Sequence, residues 1–557
     1  MIRSLDGDVR IFPHYDVCIV GSGPAGITVC AELMGSGRRI CVLESGTETK
    51  TEFADSLRKA ESHGIRVPPE SRERILGGAS HTWSGLCVPL DPVDFAARGW
   101  LHHLGWPITW GDLAPYFQSA ERYGFPRFDL FAGADAFVDN ATAEPGWRNC
   151  QEKLFLCPSK PPRFGPEYRH LFLKQDVDLI LGATVVDLPA DGSRGRTRVT
   201  AALCRSTSNR NVPIPADRFV LAAGAIDNAR LLLNSKNVVP EGLGNEWDQV
   251  GRYLMNHPKN IRLIRVRQWP HWLKRYAVRS YEGGAGFVGI RLRESQQLKE
   301  GVLNSCTRFL PYHFYPWTFS PVISAWREFV GRARARFSDE RLSGGGSRMT
   351  TDDSALSVIA THPNRPSDAR IETAWQAFVS MPELLRLVVL RLVHHVSPSV
   401  PMIGLVNYVE MEPRPENRIT LTDDRDALDM PVPRVVHEMS QRDLESLHRL
   451  HEQIAMDLEA RGCGGELVGP PEELAKAKWA DYYHYLGTTR MGTDPEHSVV
   501  NPDLRVHTVD NLYVAGGSVF PTSGCANPTM TIVALSIRLA EHLRKTTPEV
   551  NESGPKT

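Results

Sequence analysis

Three features of the sequence predict an α/β protein of two joined domains, α+β when taken as a whole. The chain has 557 residues, 41% of them hydrophobic, enough to bury one large core and a second layer around it. It opens with an apolar run, a helix-like segment and a second apolar run, the order of a βαβ unit. Apolar runs followed by glycine and a helix-like pattern recur far downstream, at residues 219–223 and 512–515. The parallel-sheet domain is therefore expected to be assembled from both ends of the chain.

In chain order, residues 15–20 (YDVCIV) read as a buried strand, residues 24–35 as a helix and residues 40–44 (ICVLE) as a second strand. Gly21-Ser-Gly-Pro-Ala-Gly26 links the first strand to the helix. Gly21 permits the tight turn, Gly23 lets backbone approach a pyrophosphate, and Gly26 allows the helix to pack closely on the strand. The helix start, at Pro24 and Ala25, then faces the phosphates. Glu44 closes the second strand, with Ser45 after it, where a carboxylate accepts from both hydroxyls of an adenosine ribose. Strand, glycines, helix, strand and acid in register make a dinucleotide site; a glycine-rich turn with a surface Glu44 is the competing reading. The fingerprint by itself does not separate NAD from FAD.

Composition narrows the partners. Lys plus Arg number 64 against 65 Asp plus Glu, a formal net charge of -1. That balance gives no overall attraction to nucleic acid or an anionic membrane and points to a small, weakly charged partner. Ten cysteines are scattered with no C-x-x-C pair, which argues against an iron–sulfur or structural zinc site. Cys18, Cys30 and Cys41 lie inside the βαβ unit, where a reduced thiol behaves as a small hydrophobe; a reducing compartment is expected. The first 20 residues carry Asp6, Asp8, Arg10 and Asp16 and no apolar stretch of signal-peptide length. Runs of about 18 uncharged apolar residues do not occur, and a cytoplasmic protein is expected.

Four further segments bear on the cofactor. They are Arg74-Ile-Leu-Gly-Gly-Ala-Ser-His-Thr-Trp-Ser-Gly85, Asp217-Arg-Phe-Val-Leu-Ala-Ala-Gly-Ala-Ile226, Val250-Gly-Arg-Tyr-Leu-Met-Asn-His-Pro258 and Asp510-Asn-Leu-Tyr-Val-Ala-Gly-Gly-Ser-Val-Phe-Pro521. In order and spacing the chain resembles the glucose–methanol–choline (GMC) oxidoreductases over nearly its whole length, the middle region excepted. The resemblance implies a glutathione-reductase-like FAD-binding Rossmann domain and a substrate domain whose antiparallel sheet covers the isoalloxazine. Residues 1–260 and 475–545 would form the first, with pieces of the second interleaved around 86–170; residues 261–474 would form the rest of the second, and 546–557 a disordered tail. It further implies that Gly77, Gly78, Ser80 and Trp83 lie near the flavin, and that Val185 or Val186 meets the adenine through backbone. Ala223 and Gly224 would line the nucleotide site, Gly516 and Gly517 would approach the pyrophosphate and ribityl chain, and Pro528 and Thr529 would stand beside them. Each of these could instead be an ordinary turn or core residue.

The same resemblance implies the chemistry. Removing a hydride from an alcohol carbon leaves a carbonyl, so a base must take the hydroxyl proton while donors hold the developing alkoxide. Among 19 histidines, His484 lies in Tyr482-Tyr-His-Tyr-Leu-Gly-Thr-Thr-Arg-Met-Gly492, which is similar to the family's H-x-x-G-T segment. An ordinary pKa of about 6.5 leaves much of an imidazole neutral near pH 7. The second member comes from Thr522-Ser-Gly-Cys-Ala-Asn-Pro-Thr-Met-Thr531, where the family places histidine or asparagine; here it is Asn527. An amide donates a hydrogen bond but takes no proton, so base duty falls on His484. The alternative is Asn527 as the N-cap of the last helix, with Pro528 at its first position. The Asn-Pro-Thr form resembles the pyranose oxidase and fructose or gluconate dehydrogenase branch, which implies a sugar-like alcohol. At the position of the family's flavin-linking histidine this chain has Thr82, with His81 one place early. A one-residue shift along an extended backbone turns a side chain to the opposite face, so non-covalent FAD is expected.

The middle of the chain is less informative. The aromatic run from Phe309 to Trp317 reads as pocket wall or core, and residues 343–354, rich in Gly, Ser and Thr, as a mobile loop. Segments 326–336 and 382–394 combine arginines with apolar residues; such helices lie on an anionic membrane or, more commonly, pack against the body or a second subunit of a homo-oligomer. Oxygen or a quinone-type carrier would reoxidise the flavin. Other functions stay open: a nicotinamide dehydrogenase, which shares the βαβ unit alone, a flavin-containing lyase of the same family, or an aryl or aliphatic alcohol oxidase.

Overall fold

The computed structural model describes residues 1–7, 12–101, 105–138, 146–192, 197–314, 400–472, 474, 477 and 479–546. The opening unit forms as the hydrophobic pattern requires, with strand Tyr15–Val20, helix Pro24–Leu33 and strand Ile40–Glu44. Both strands are almost wholly buried, as strands of a parallel sheet covered on both faces must be. They pair in parallel, with Val177–Leu181 and then Ile2–Ser4 added beyond Ile40–Glu44. On the other side Asn211–Leu221 pairs in parallel with Tyr15–Val20, and Leu512–Val514 pairs with it. The far end of the chain thus completes a sheet begun at the near end. Towards its start Asn211–Leu221 pairs antiparallel with Ala201–Arg205, which in turn carries Thr184–Asp187.

The turn after the first strand depends on two glycines. Gly21 has φ +103°, which L side chains rarely adopt, and a Cβ on Gly26 would overlap the Gly21 carbonyl oxygen. Helix Pro24–Leu33 therefore starts directly on the strand end, and helix Thr529–Lys545 packs beside it.

The second sheet is antiparallel throughout. Its strands are Cys150–Pro158, Ile261–Arg265, Arg279–Tyr281, Gly284–Leu292, Cys306–Phe314, Val400–Tyr408 and Glu466–Leu467. Helix Gln441–Ala460 closes a second core with Leu450, Ile454 and Leu458 against Ile264 and Leu405. Ser440 and Asp443 form a capping box at its start. Strand Cys150–Pro158 comes from the interleaved region around 86–170. Residues 418–437 go elsewhere: Arg418–Arg425 and Pro431–His437 make a ribbon on Glu61–Gly64.

After Leu512–Val514 the chain makes only a 3-10 turn, Gly517–Val519, where the sequence pattern suggested a helix. Pro521 and Pro528 keep the stretch between from continuing as one, so a loop bearing Asn527 precedes helix Thr529–Lys545. Phe309 is buried against Trp147 and Tyr276. Residues 315–317 of the aromatic run, the 343–354 stretch, segments 326–336 and 382–394, and the tail beyond 546 lie outside the described residues. Among the described residues no helix is long and apolar enough to cross a membrane.

Candidate active site

Segments from both ends of the chain meet around a cavity of about 430 Å³. The glycine turn contributes Gly21, Ser22, Gly23, Pro24 and Ala25; the neighbouring strand ends contribute Glu44, Ser45, Thr184, Val185, Ala223 and Gly224. Gly78, Ser80, Thr82 and Trp83 come from the segment after Arg74, and Tyr482, Tyr483, His484, Gly516, Gly517, Asn527, Pro528 and Thr529 from the C-terminal part. Three expected residues do not line it. Gly26 leaves room for the Gly21 carbonyl, and a Cβ on Gly77, at φ +99°, would overlap the Gly165 backbone. Val186 points away, into a small cluster with Leu57, Leu428 and Met430, while its carbonyl accepts from Asn234 Nδ2 at 2.8 Å. Successive strand residues face opposite sides, and of the two Val185 lines the cavity.

Glu44 is fixed by the turns on either side of it. Its Oε2 accepts from Ser22 N at 3.2 Å and from the Ser22 hydroxyl, and its Oε1 accepts from Gly46 N at 2.8 Å. Burial raises its pKa, opposed by these hydrogen bonds and by Arg74. Glu44→Gln should weaken FAD affinity roughly tenfold or more, because hydrogen bonds to a charged acceptor contribute about 1.5–3 kcal/mol. Titration of the apoprotein with FAD checks this; unchanged affinity would remove Glu44 from the site.

A cluster of paired arginines and carboxylates stands in the same cavity, which the sequence did not reveal. Arg72 and Arg74 lie 2.7 and 2.9 Å from Asp227 Oδ1, and Arg230 Nη1 lies at 3.8 Å. Burial would raise the Asp227 pKa, but the three guanidiniums outweigh it and hold the carboxyl below the usual range. Arg230 also reaches Asp426 at 2.6 Å, and Glu44 and Glu73 line the same cavity, so the three arginines are matched by carboxylates there. The alternation Arg72-Glu-Arg74 directly before the Gly77-Gly78 turn was the available signal.

His81 does not sit on an extended segment. Residues Gly78–His81 form a 3-10 turn, so a one-residue shift rotates the side chain about 120° rather than 180°. The outcome for orientation is similar: His81 Nε2 binds the Leu76 carbonyl at 2.7 Å, and Thr82 lines the cavity.

His484 is partly open to the cavity, but its Nδ1 is buried without a hydrogen-bond partner. The Tyr482 and His257 rings stand edge-on at 5.2 and 5.3 Å. Burial, then His257, then Lys259, push its pKa well below the ordinary value, so the imidazole is neutral at pH 7. The neighbouring His257 donates from Nδ1–H to the Val409 carbonyl at 3.0 Å; burial lowers its pKa to about 4. Asn527 is not a cap. The last helix begins at Thr529 with Pro528 at the cap position, and Asn527 Oδ1 is buried and unpartnered. A Cβ on Gly23 or Gly224 would meet nothing within 4 Å, so backbone fronts open space there. Open backbone at the glycine turn, a fixed carboxylate at the end of the second strand and two unsatisfied polar side chains together fit FAD.

Fold and cavity define a class, a Rossmann-type FAD-dependent oxidoreductase with an antiparallel partner domain. Residues 413–536 match the family described as GMC oxidoreductase, and residues 16–256 that described as FAD dependent oxidoreductase. The chain is 34% identical to 6'''-hydroxyparomomycin C oxidase of Streptomyces lividus over 95% of its own length and 92% of that protein. It is 37% identical to C-glycoside 3-oxidase of Arthrobacter globiformis over 26% of its length, spanning 28% of that relative. A solved structure of formate oxidase from Aspergillus oryzae RIB40 shares the fold at a TM-score of 0.55, with 16% identity over 96% of this chain and 99% of that one. The chain belongs to the GMC oxidoreductase family, and its cofactor is FAD.

Proposed function

We propose that this chain oxidises the CH–OH group of a sugar-like alcohol, such as a glycoside, aminosugar or cyclitol, with His484 as base and Asn527 as donor to the reacting oxygen. The observation that carries this reading is that both side chains, each with a buried unpartnered polar atom, front the cavity lined by the glycine turn. Bound FAD supplies the hydride acceptor. His484, neutral in its buried setting, takes the hydroxyl proton, while the Asn527 amide holds the oxygen as negative charge develops on it. Trp83 and Tyr482 place aromatic surface on the same wall, which suits the C–H face of a pyranose ring. The names of the two relatives, an aminoglycoside-type oxidase and a C-glycoside oxidase, favour the same substrate class. Thr82 on the wall and His81 tied to Leu76 favour non-covalent FAD. Reoxidation is by oxygen or a quinone-type carrier, in a cytoplasmic enzyme whose ten cysteines are all free and buried.

Anaerobic mixing with sugars, glycosides, aminosugars and cyclitols, beside simple and aryl alcohols, tests this reading. Bleaching of the flavin absorbance is expected with a member of the first group, and air readmitted afterwards separates oxidase from dehydrogenase. Bleaching by aryl or aliphatic alcohols alone would move the substrate class, and bleaching by none would favour a lyase. Acid precipitation of the same preparation should release FAD; flavin held in the precipitate, and freed by His81→Ala, would overturn the non-covalent assignment.

A further inference from the structure

We propose that Asp481 is a positioning residue for His484, acting through Asn256 and the turn at Tyr483 to set the direction in which the imidazole meets the substrate. The proposal rests on the reading of His484 as the base. Asp481 is a carboxylate with a side chain only 1% exposed, and the chemistry above makes no use of it. Its Oδ2 accepts from Asn256 Nδ2 at 3.0 Å and from the Tyr485 hydroxyl at 2.9 Å, and its Oδ1 accepts from Tyr483 N at 2.6 Å. Asn256 turns the other end of its amide to the backbone, where Oδ1 accepts from His257 N at 2.8 Å and His484 N at 3.0 Å. A continuous run of hydrogen bonds therefore joins the Asp481 carboxylate to the His484 main chain.

The same carboxylate holds a strained turn. Tyr483 has φ +65°, a left-handed conformation that is strained in a non-glycine residue and persists only where surrounding bonds enforce it. Its N–H is the one bound by Asp481 Oδ1. A carboxylate can accept from all three donors at once. An amide at 481 has a single acceptor oxygen, and its NH2 would face a donor.

The titratable side chains around Asp481 are His437, whose Nδ1 lies 3.9 Å away, and Tyr483 and Tyr485 on its own loop, with Glu70 and Arg72 behind those phenols. Burial raises the Asp481 pKa to about 6, against the hydrogen bonds from Tyr483, Tyr485 and Asn256. His437 is pushed down by burial to about 4, and His484 also lies well below its ordinary value. As pH falls through about 6, Asp481 is therefore the group that takes a proton, one oxygen stops accepting, and the clasp loosens.

Stopped-flow flavin reduction of the holoenzyme, without oxygen and with an alcohol that bleaches it, tests the proposal. Asp481→Asn should retain FAD and the apparent substrate Kd while slowing reduction by roughly 10–100-fold, the scale of a misplaced catalytic group. In a His484→Ala background the same substitution should change the rate by less than about twofold, because the two act as one unit. The wild-type rate should fall below about pH 6, and that limb should be absent from Asp481→Asn. A wild-type rate in Asp481→Asn, an equal loss in both backgrounds, or an unchanged acid limb would overturn the proposal. Should Asp481→Asn fail to fold, Tyr485→Phe removes one of the three hydrogen bonds, and a loss confined to the His484 background is again required. A fast His484→Ala would bring down the base assignment and this proposal together; a slow His484→Ala beside a fast Asp481→Asn would overturn the positioning role alone.

Discussion

His484→Ala should slow flavin reduction by about 10²–10⁴-fold, the usual contribution of a positioned general base. The imidazole lies on the cavity wall, and burial keeps it neutral. Loss of the side chain leaves the hydroxyl proton without a protein acceptor. FAD content should not change, since Glu44, the glycine turn and the Arg72–Asp227 pair are untouched. Raising the pH should partly restore the rate, as hydroxide or a more ionised substrate replaces the missing base. Anaerobic stopped-flow measurement with a productive alcohol decides it. Reduction at the wild-type rate would end the proposed mechanism while leaving the family membership intact.

Asn527→Ala should cost on the order of 10²-fold in the same measurement, the scale seen when one donor to a developing oxyanion is removed. The loss should fall on kcat and kcat/KM alike, because the hydrogen bond strengthens as charge develops on the oxygen. Asn527 does not cap the last helix, which begins two residues later, so thermal stability and FAD content should stay near wild type. Raising the pH should do little, in contrast to the His484 variant, since the missing group is a donor. A loss of stability together with normal reduction kinetics would assign Asn527 to the fold.

Local patterns made the first domain readable. The period of the apolar residues placed Tyr15–Val20 and Ile40–Glu44 with their observed bounds, and the helix differed only at its C-terminal end. The glycine turn and Glu44 form their site within 26 residues of chain, from position 21 to 46, so backbone geometry carries the information. Short-range alternatives were harder. Val185 and Val186 differ by strand parity, and His81 and Thr82 by whether the segment is extended or 3-10, which sequence does not show.

The sequence by itself determined a βαβ opening, a dinucleotide turn, a sheet shared between the chain ends and the motif order of the GMC family. It also singled out His484 and Asn527 by their surroundings. Only the tertiary structure decided which charges meet. Asp227 lies 155 residues from Arg72, and Asp481 lies 225 from Asn256. The physical reason is that a buried charge is tolerable only beside a partner, and at such separations the partner is chosen by the packing of the two sheets rather than by neighbouring residues. The left-handed turn at Tyr483 belongs with them, because the Asp481 carboxylate that holds its N–H is itself fixed by the distant Asn256.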